Sequence, residues 1–414
     1  MSALQPVRGT HDLLPDEMRR FRQVADTARR AALCFGYHEV ATPIFEFTEV
    51  FKRTLGDTSD VVTKEMYTFT DKGGETVTLR PEGTAGVARA LISGGLSQHL
   101  PLKYFYVGPM FRYERPQKGR MRQFHQTGVE LLGVKEPGGD VEVIAIGVEF
   151  LRRIGAWERC ELELNTLGDT ASRQAYRRVL IEYLNDFRDR LSKDSLDRLE
   201  KNPLRVLDSK DEGDQKIVAN APIYTDYLSS EAQVFFGEVK QGLDALGIGY
   251  RINPRLVRGL DYYCHTCFEI TCPELGAQKT VLAGGRYDGL VGMMGGPETP
   301  GVGWASGVER CSMLLRETPA APRPIAIVPL GEAAERKAAQ LAGELRSKDF
   351  MVDLGYGGNM GKRMKRANKV EAAVAVILGD DELARGEVAL KILDTGEQKT
   401  VRLNDLEAAL GAYR

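Results

Sequence analysis

Two alternating runs facing each other across a short turn constrain this 414-residue chain more than any other feature. Tyr104-Phe-Tyr-Val107 and Met110-Phe-Arg-Tyr-Glu114 alternate, Pro116-Gln-Lys-Gly-Arg120 forms a turn, and a return run extends from Arg122 to Leu132. This pattern predicts a long antiparallel hairpin from Tyr104 to Gly133. By period-two alternation Arg112 and Glu114 share one face of the first strand, and Phe124, Gln126, Gly128 and Glu130 share one face of the second. A face holding an arginine, two glutamates, a glutamine and one ring is no packing surface, because buried ions need partners. It reads as a cavity wall for a polar ligand. Arg112, Arg115, Lys118, Arg120 and Arg122 crowd the same turn, for which a solvated hairpin tip is the plain alternative.

The length implies two or three domains at roughly 100–200 residues each. A chain with 43% apolar and 28% charged residues is globular rather than disordered. Lys and Arg total 56 against 58 Asp and Glu, which excludes a protein that binds nucleic acid by bulk charge but not one with a local basic patch. No apolar run approaches the ~20 residues of a membrane span, and no membrane partner is expected. The segment from Met1 to Asp12 lacks the basic-then-apolar pattern of a signal peptide, and six scattered cysteines make no disulfide framework. A cytoplasmic location is the expectation. With five histidines and no His-x-x-x-His pair, no metal-ligating residues are expected in the chain.

Along the chain, Met18, Phe21, Ala25, Ala28, Ala32 and Phe35 recur at helical spacing, with Pro15 suited to the first turn and Gly36 to a left-handed cap. The stretch Tyr37–Glu46 reads as a strand interrupted by Pro43, hence an edge or interface strand. Between about 170 and 246 charge density rises, and Val179, Leu180, Tyr183, Leu184 and Phe187 form one stripe, predicting an inserted helical region. Strand character returns at 250–253, 261–271 and 280–284. The segment from Thr318 to Pro324, with its Pro-Ala-Ala-Pro-Arg-Pro run, is the best linker. Beyond it, alternating strands (325–330, 350–354, 372–378) and helices (332–348, 361–371) predict a small, mostly parallel α/β domain.

Three further segments carry chemistry. Arg258-Gly-Leu-Asp-Tyr-Tyr263 is compatible with a simple edge strand. Leu282-Ala-Gly-Gly-Arg-Tyr-Asp-Gly289 puts paired glycines beside charge, where backbone or ligand must approach closely. Gly301-Val-Gly-Trp-Ala-Ser-Gly-Val-Glu-Arg310 sets three glycines before a helix, with neither P-loop nor dinucleotide spacing. Cys264 and Cys267 superficially suggest a zinc pair. On a strand over 261–271 they point to opposite faces and cannot grip one ion, so packing is the expected role.

In order, these segments resemble the histidyl-tRNA synthetase family of class II aminoacyl-tRNA synthetases over essentially the whole length. Arg8-Gly-Thr-His-Asp-Leu-Leu-Pro15 is similar to that family's N-terminal signature, and Pro43 matches its interface proline. Phe111–Glu114 with Gln123–Gln126 is similar to the second class II motif, and Gly303–Arg310 to the third. Arg258–Tyr263 and Ala283–Asp288 are similar to the histidine-specific segments. The implied fold is α+β: a class II synthetase-type antiparallel sheet flanked by helices (1–320, helical insertion about 170–246), then a C-terminal α/β anticodon-binding domain (321–414).

The resemblance implies ATP-dependent ligation of L-histidine to its tRNA through histidyl-adenylate, releasing diphosphate and AMP, with Mg2+ accompanying ATP and a homodimeric assembly. It assigns Arg258 and Arg112 to catalysis at the α-phosphate and substrate carboxylate. Glu114 and Phe124 go to the adenine, and Arg310 to the terminal phosphates. Glu82, Thr84 and Gln126 are assigned to the histidine ammonium, Glu130 and Tyr263 to the imidazole, and Tyr262 to ring packing or ligand contact. Lys118 and Arg120 in the hairpin turn, and Lys362, Arg363, Lys365 and Arg366 on a helix free of acidic residues from Gly361 to Val370, are the expected tRNA contacts. The chain departs from the family where Cys267 replaces a valine. The alternative is a non-catalytic synthetase-like histidine-binding regulatory subunit of histidine biosynthesis. Such a chain would lack the C-terminal domain and the ATP-site arginines, all present here.

Overall fold

In the computed structural model, which describes residues 3–55, 61–117, 119–257, 262–276 and 278–414, Pro15 occupies the first turn of α1 (Pro15–Cys34) and Gly36 ends it at φ 79°. The stretch around Pro43 is not one strand. It gives β1 (His38–Glu39), at the edge of a large sheet, and β2 (Phe45–Phe47), at the edge of a small one. Pro43 lies between them, lacking the N–H that would continue a ladder. Then come α2 (Thr48–Leu55), β3 (Tyr67–Thr70), β4 (Thr76–Leu79) and α3 (Thr84–Ser93), with the small sheet ordered β2-β4-β3.

The predicted hairpin is formed by β5 (Leu102–Phe111) and β6 (Gln123–Leu132), in register from Leu102 opposite Leu132 to Phe111 opposite Gln123. Arg112 and Glu114 therefore lie beyond the strand rather than on one of its faces. The ladder ends because the Tyr113 N–H turns away to the Glu65 carbonyl at 2.7 Å. Next come α4 (Pro137–Arg153) and β7 (Glu161–Thr166). The stretch that follows is helical, with α5 (Thr170–Asn185), α6 (Lys193–Lys201), α7 (Glu212–Val218) and α8 (Ser230–Ala245). Within this stretch α6 and α7 are tied together by the buried Asp214, which accepts from the Ser192 N–H and from the hydroxyls of Ser192, Ser195 and Ser209 at 2.6–2.8 Å.

β8 (Arg251–Ile252), β9 (Cys264–Thr271), β10 (Thr280–Arg286), α9 (Leu290–Met293), β11 (Gly301–Gly307) and α10 (Val308–Leu314) complete the first of two compact units, Met1–Pro319 and Ala320–Arg414. Its sheet runs β1-β5-β6-β11-β10-β9-β7-β8 and is antiparallel except at the two end pairs. One face is dry. Val129, Leu131, Phe268, Val302 and Trp304 pack with Val24 of α1, Phe150 of α4, Leu243 of α8 and Leu314 of α10. The intervening residues Gln126, Gly128 and Glu130 therefore face the opposite side, toward α3.

The second unit contains β12 (Ile325–Leu330), α11 (Glu332–Arg346), β13 (Val352–Leu354), α12 (Met360–Lys369), β14 (Val374–Gly379), α13 (Asp380–Ala384), β15 (Glu387–Ile392), β16 (Gln398–Arg402) and α14 (Leu406–Leu410). The strand order is β13-β12-β14-β15-β16. β12 is parallel to both neighbours, whereas β15 and β16 join antiparallel. The sheet is mixed rather than mostly parallel. Its last strand, Gln-Lys-Thr-Val-Arg, is almost wholly polar and exposed and offers no apolar run to read.

Candidate active site

A cavity of about 790 Å³ opens on the α3 side of the sheet in the first unit. Its wall brings together Glu82, Thr84, Arg112, Glu114, Arg120, Phe124, Gln126, Tyr262, Tyr263 and Arg310, which the sequence scatters over 229 positions (82 to 310). Arg258 and Lys118 lie outside the described residues.

At one end the turn Leu79–Thr84 delivers Glu82 to the start of α3. Its two carboxylate oxygens accept from the Thr84 and Ala85 N–H groups at 2.7 and 2.9 Å. Burial pushes the Glu82 carboxyl up, and those N–H donors oppose the shift. A carboxylate accepts more than one donor per oxygen, so Glu82 can still receive an ammonium group. Gln126 stands nearby on the cavity wall with its side-chain oxygen buried and without a hydrogen-bond partner among the described residues. An unmade bond to a buried acceptor costs about 1–3 kcal/mol, which a cationic donor would recover.

Glu130 does not line the cavity. It is fully buried beneath it. Thr84 Oγ1 donates to its Oε1 at 2.7 Å, Tyr287 donates a short bond to its Oε2, and the Tyr106 hydroxyl stands 3.5 Å from Oε1. Burial first, against those hydroxyl bonds, pushes the Glu130 carboxyl up to about 8. Two glycines make room for this arrangement. A Cβ at Gly303 would lie 2.0 Å from Glu130 Oε2, and one at Gly128 would lie 2.5 Å from the Tyr106 hydroxyl. Tyr262 and Tyr263 are buried with ring centres 4.6 Å apart, and Tyr262 meets Tyr287 edge to face at 5.9 Å. Tyr106 and Tyr287 are partners of Glu130 that the sequence does not single out.

At the other end Arg112 donates to the Pro81 carbonyl at 2.9 Å and sits 5.4 Å from the centre of the Phe124 ring. Glu114 pairs with Arg120 at 2.6 Å and lies 4.0 Å from Arg112. Arg310 is held wholly by neutral oxygens, those of Gly119 (3.1 Å), Thr280 (2.6 Å) and the Gln278 side chain (3.4 Å). Burial and then Arg120 press its pKa down. The Glu114 and Glu269 carboxylates oppose that fall, so its charge is partly balanced beside the cavity. His125 was not singled out by the sequence reading. Its N–H and ring Nδ1 meet the Glu309 carboxylate at 2.8–3.0 Å, tying the start of α10, and with it Arg310, to β6.

One expectation holds and one changes. Cys264 and Cys267 lie on opposite faces of β9 even though the strand is bulged between them. His265 has φ 43°, Cys264 pairs with Arg286, and Cys267 pairs with the adjacent Gly285. Burial pushes the Cys264 thiol up to about 12, away from the thiolate a metal needs. In the second unit Arg363 is no surface contact for RNA. It is buried, forms an ion pair with Glu335 and donates to the carbonyls of Gly355 and Gly358. Lys362 and Lys365 are exposed, and Arg366 is exposed but held by Asp353 at 2.7 and 2.8 Å.

Residues 9–311 match the histidyl-tRNA synthetase family, and residues 324–412 match an anticodon binding domain. The chain is 61% identical over 414 residues to the histidine--tRNA ligase of Rhodospirillum rubrum, covering all of both chains. It is 57% identical to that of Gluconacetobacter diazotrophicus, covering 98% of this chain and 97% of the relative. The crystal structure of apo S. aureus histidyl-tRNA synthetase superposes with a TM-score of 0.83 at 34% identity, covering 98% of each chain. The fold, the second unit and the full-length likeness agree: this chain belongs to the histidyl-tRNA synthetase family.

Proposed function

We propose that the chain activates L-histidine with ATP and transfers the histidyl group to its tRNA. The histidine carboxylate attacks the α-phosphorus and diphosphate leaves. The 3′-terminal ribose hydroxyl of the tRNA then attacks the acyl carbon and AMP leaves. The observation that carries this reading is the convergence on one cavity of two kinds of group. Acceptors suited to an ammonium (Glu82 and Gln126) line it together with the guanidiniums of Arg112 and Arg310.

Arg112 would neutralise charge developing at the α-phosphate, Phe124 would stack on adenine beside Glu114, and Arg310 would hold the terminal phosphates. Arg258 would add a second cation at the α-phosphate. Thr84 and Gln126 would orient the ammonium with Glu82. Tyr263 would take one imidazole nitrogen, with Tyr262 packing alongside and Glu130, beneath the wall, holding the Thr84 and Tyr287 hydroxyls in place. Mg2+ would travel on the phosphate oxygens of ATP, since among the described residues no three His, Cys, Asp or Glu side chains are grouped to hold an ion. Unit one is then the catalytic domain. In unit two, Lys362, Lys365 and Arg366 face the tRNA phosphates, and Arg120 contacts tRNA near the cavity. No described helix is long and apolar enough to cross a membrane, and a cytoplasmic location fits this role. A homodimer would cover the exposed aromatic face of the small sheet, where Phe45, Phe47 and Phe69 stand out.

Amino-acid-dependent exchange of diphosphate into ATP tests the reading directly. Exchange with histidine alone among the twenty amino acids is expected. No exchange, or exchange with another amino acid, sinks it. Arg258→Ala should cut exchange strongly in a folded protein, and near-normal exchange would remove Arg258 from its assigned role.

A further inference from the structure

In the second unit a tyrosine is presented to solvent in a way that packing does not explain. Tyr356 is 90% exposed, in the loop Gly355-Tyr-Gly-Gly358 between β13 and α12. The loop is nevertheless clamped. The buried Arg363, anchored by Glu335, donates from Nη1 to the Gly355 carbonyl (2.9 Å) and from Nε to the Gly358 carbonyl (2.8 Å), gripping both ends of the four-residue segment. The ring is held as well. The Arg366 guanidinium lies 5.6 Å from its centre and is itself fixed by both oxygens of Asp353. Gly358, at φ 104°, supplies the backbone bend that turns the chain into α12.

A clamped loop, a glycine on each side and a pinned guanidinium against one ring face leave the rest of an aromatic surface open beside the exposed Lys362 and Lys365. We infer that Tyr356 is a stacking platform for an unpaired base of the tRNA anticodon loop, with Arg366 positioning the ring and Lys362 and Lys365 meeting the adjoining phosphates. The chemistry selects single-stranded RNA. Unstacked bases are recognised on aromatic rings and guanidinium planes, and cations follow the backbone. Arg363 is a positioning residue here, holding the loop from beneath. The inference rests on the reading of α12 as an RNA-facing surface.

The test uses the full-length enzyme and a transcript of the tRNA for histidine. Tyr356→Ala should lower kcat/KM for tRNA charging roughly tenfold, the scale of losing one base–aromatic stack. Histidine-dependent diphosphate exchange and the unfolding temperature should not change, because the ring packs against so little. Tyr356→Phe and Tyr356→Trp should keep most of the charging rate. With 2-aminopurine at each unpaired anticodon-loop position in turn, one position should be quenched on binding wild type and not on binding Tyr356→Ala. Normal charging by Tyr356→Ala, or a loss in Tyr356→Phe as large as in Tyr356→Ala, overturns the platform. The supporting reading fails separately. If replacing Lys362 and Lys365 together by Ala leaves the salt dependence of tRNA binding unchanged, α12 does not meet phosphates, whereas Tyr356→Ala should weaken binding without altering that slope.

Discussion

The Tyr287 hydroxyl donates to one oxygen of Glu130 while Thr84 donates to the other at 2.7 Å, so a carboxyl without solvent exposure is gripped from both sides. Burial raises its pKa to about 8, well above the unfolded value of about 4.3. An acid with a raised folded-state pKa gives stability that is complete below the unfolded value and is lost as pH rises through the folded one. Glu130→Gln cannot ionise and lacks that loss. Its unfolding temperature relative to wild type should therefore climb between pH 5 and pH 8.5. A constant difference across that range would mean that Glu130 titrates normally.

Tyr287→Phe removes one of those donors without emptying the ring's space. A hydrogen-bonding pocket discriminates through buried groups that must all be paired. KM for histidine should rise about tenfold, equivalent to roughly 1.4 kcal/mol, with KM for ATP nearly unchanged. Diphosphate exchange measured against each substrate separates the two. An equal rise in both would indicate general damage to the sheet.

Arg310 is fixed by three neutral oxygens, and so keeps part of its charge for a ligand. Arg310→Gln should raise KM for ATP about 10- to 100-fold, the scale of a charge-assisted hydrogen bond worth about 1.5–3 kcal/mol. Glu309→Gln, which weakens the tie between α10 and β6 at His125, should give a smaller effect of the same kind. An unchanged KM for ATP in Arg310→Gln would remove Arg310 from the phosphate site.

The strands flanking the cavity were legible because alternation survives in β5 and β6, where a dry face and a polar face are separated by one residue. The same rule failed where the backbone departs from regular pleating. It failed at Arg112 and Glu114, past the end of β5, where the Tyr113 N–H leaves the sheet for the Glu65 carbonyl. Charge was a poorer guide than periodicity. Arg363 looks like its neighbours in sequence, yet its position on the helix turns it inward to Glu335, where it clamps a loop. Tyr106 and Tyr287 went unread because their role depends on reaching Glu130 from other strands, a long-range coincidence that no local pattern encodes.

Asp214 should prove to be the keystone of the helical insertion. Burial alone would raise its pKa, but donors from Ser195, Ser192 and Ser209 outweigh it and hold the carboxyl below its ordinary value. Its contribution is thus present above the unfolded value of about 3.9 and lost as pH falls through the folded one. Asp214→Ala leaves several donors unpaired and should cost about 2–4 kcal/mol of insertion stability. Limited proteolysis should cut first within residues 170–245, while histidine-dependent exchange persists. Wild-type resistance to the protease would show that the serines need no common acceptor.

The small sheet β2-β4-β3 turns its polar side inward and its aromatic side outward. The hydroxyls of Thr48 and Thr78, both buried, and of the exposed Thr68 form a chain of 2.9 Å contacts on the opposite side. Phe47 and Phe69 flank Val77 across the ladder, on the side where Phe45, Phe47 and Phe69 are 58%, 59% and 49% exposed. Such an inversion is uneconomical in a monomer and is expected of an interface. Phe47→Asp would place a charge in the middle of that face, and a charge buried without a partner is strongly disfavoured. Sedimentation should show wild type as a dimer and Phe47→Asp shifted to monomer at micromolar concentration, with each unit still folded by circular dichroism. A wild-type monomer would remove the homodimer. A Phe47→Asp dimer as tight as wild type would move the interface to another face.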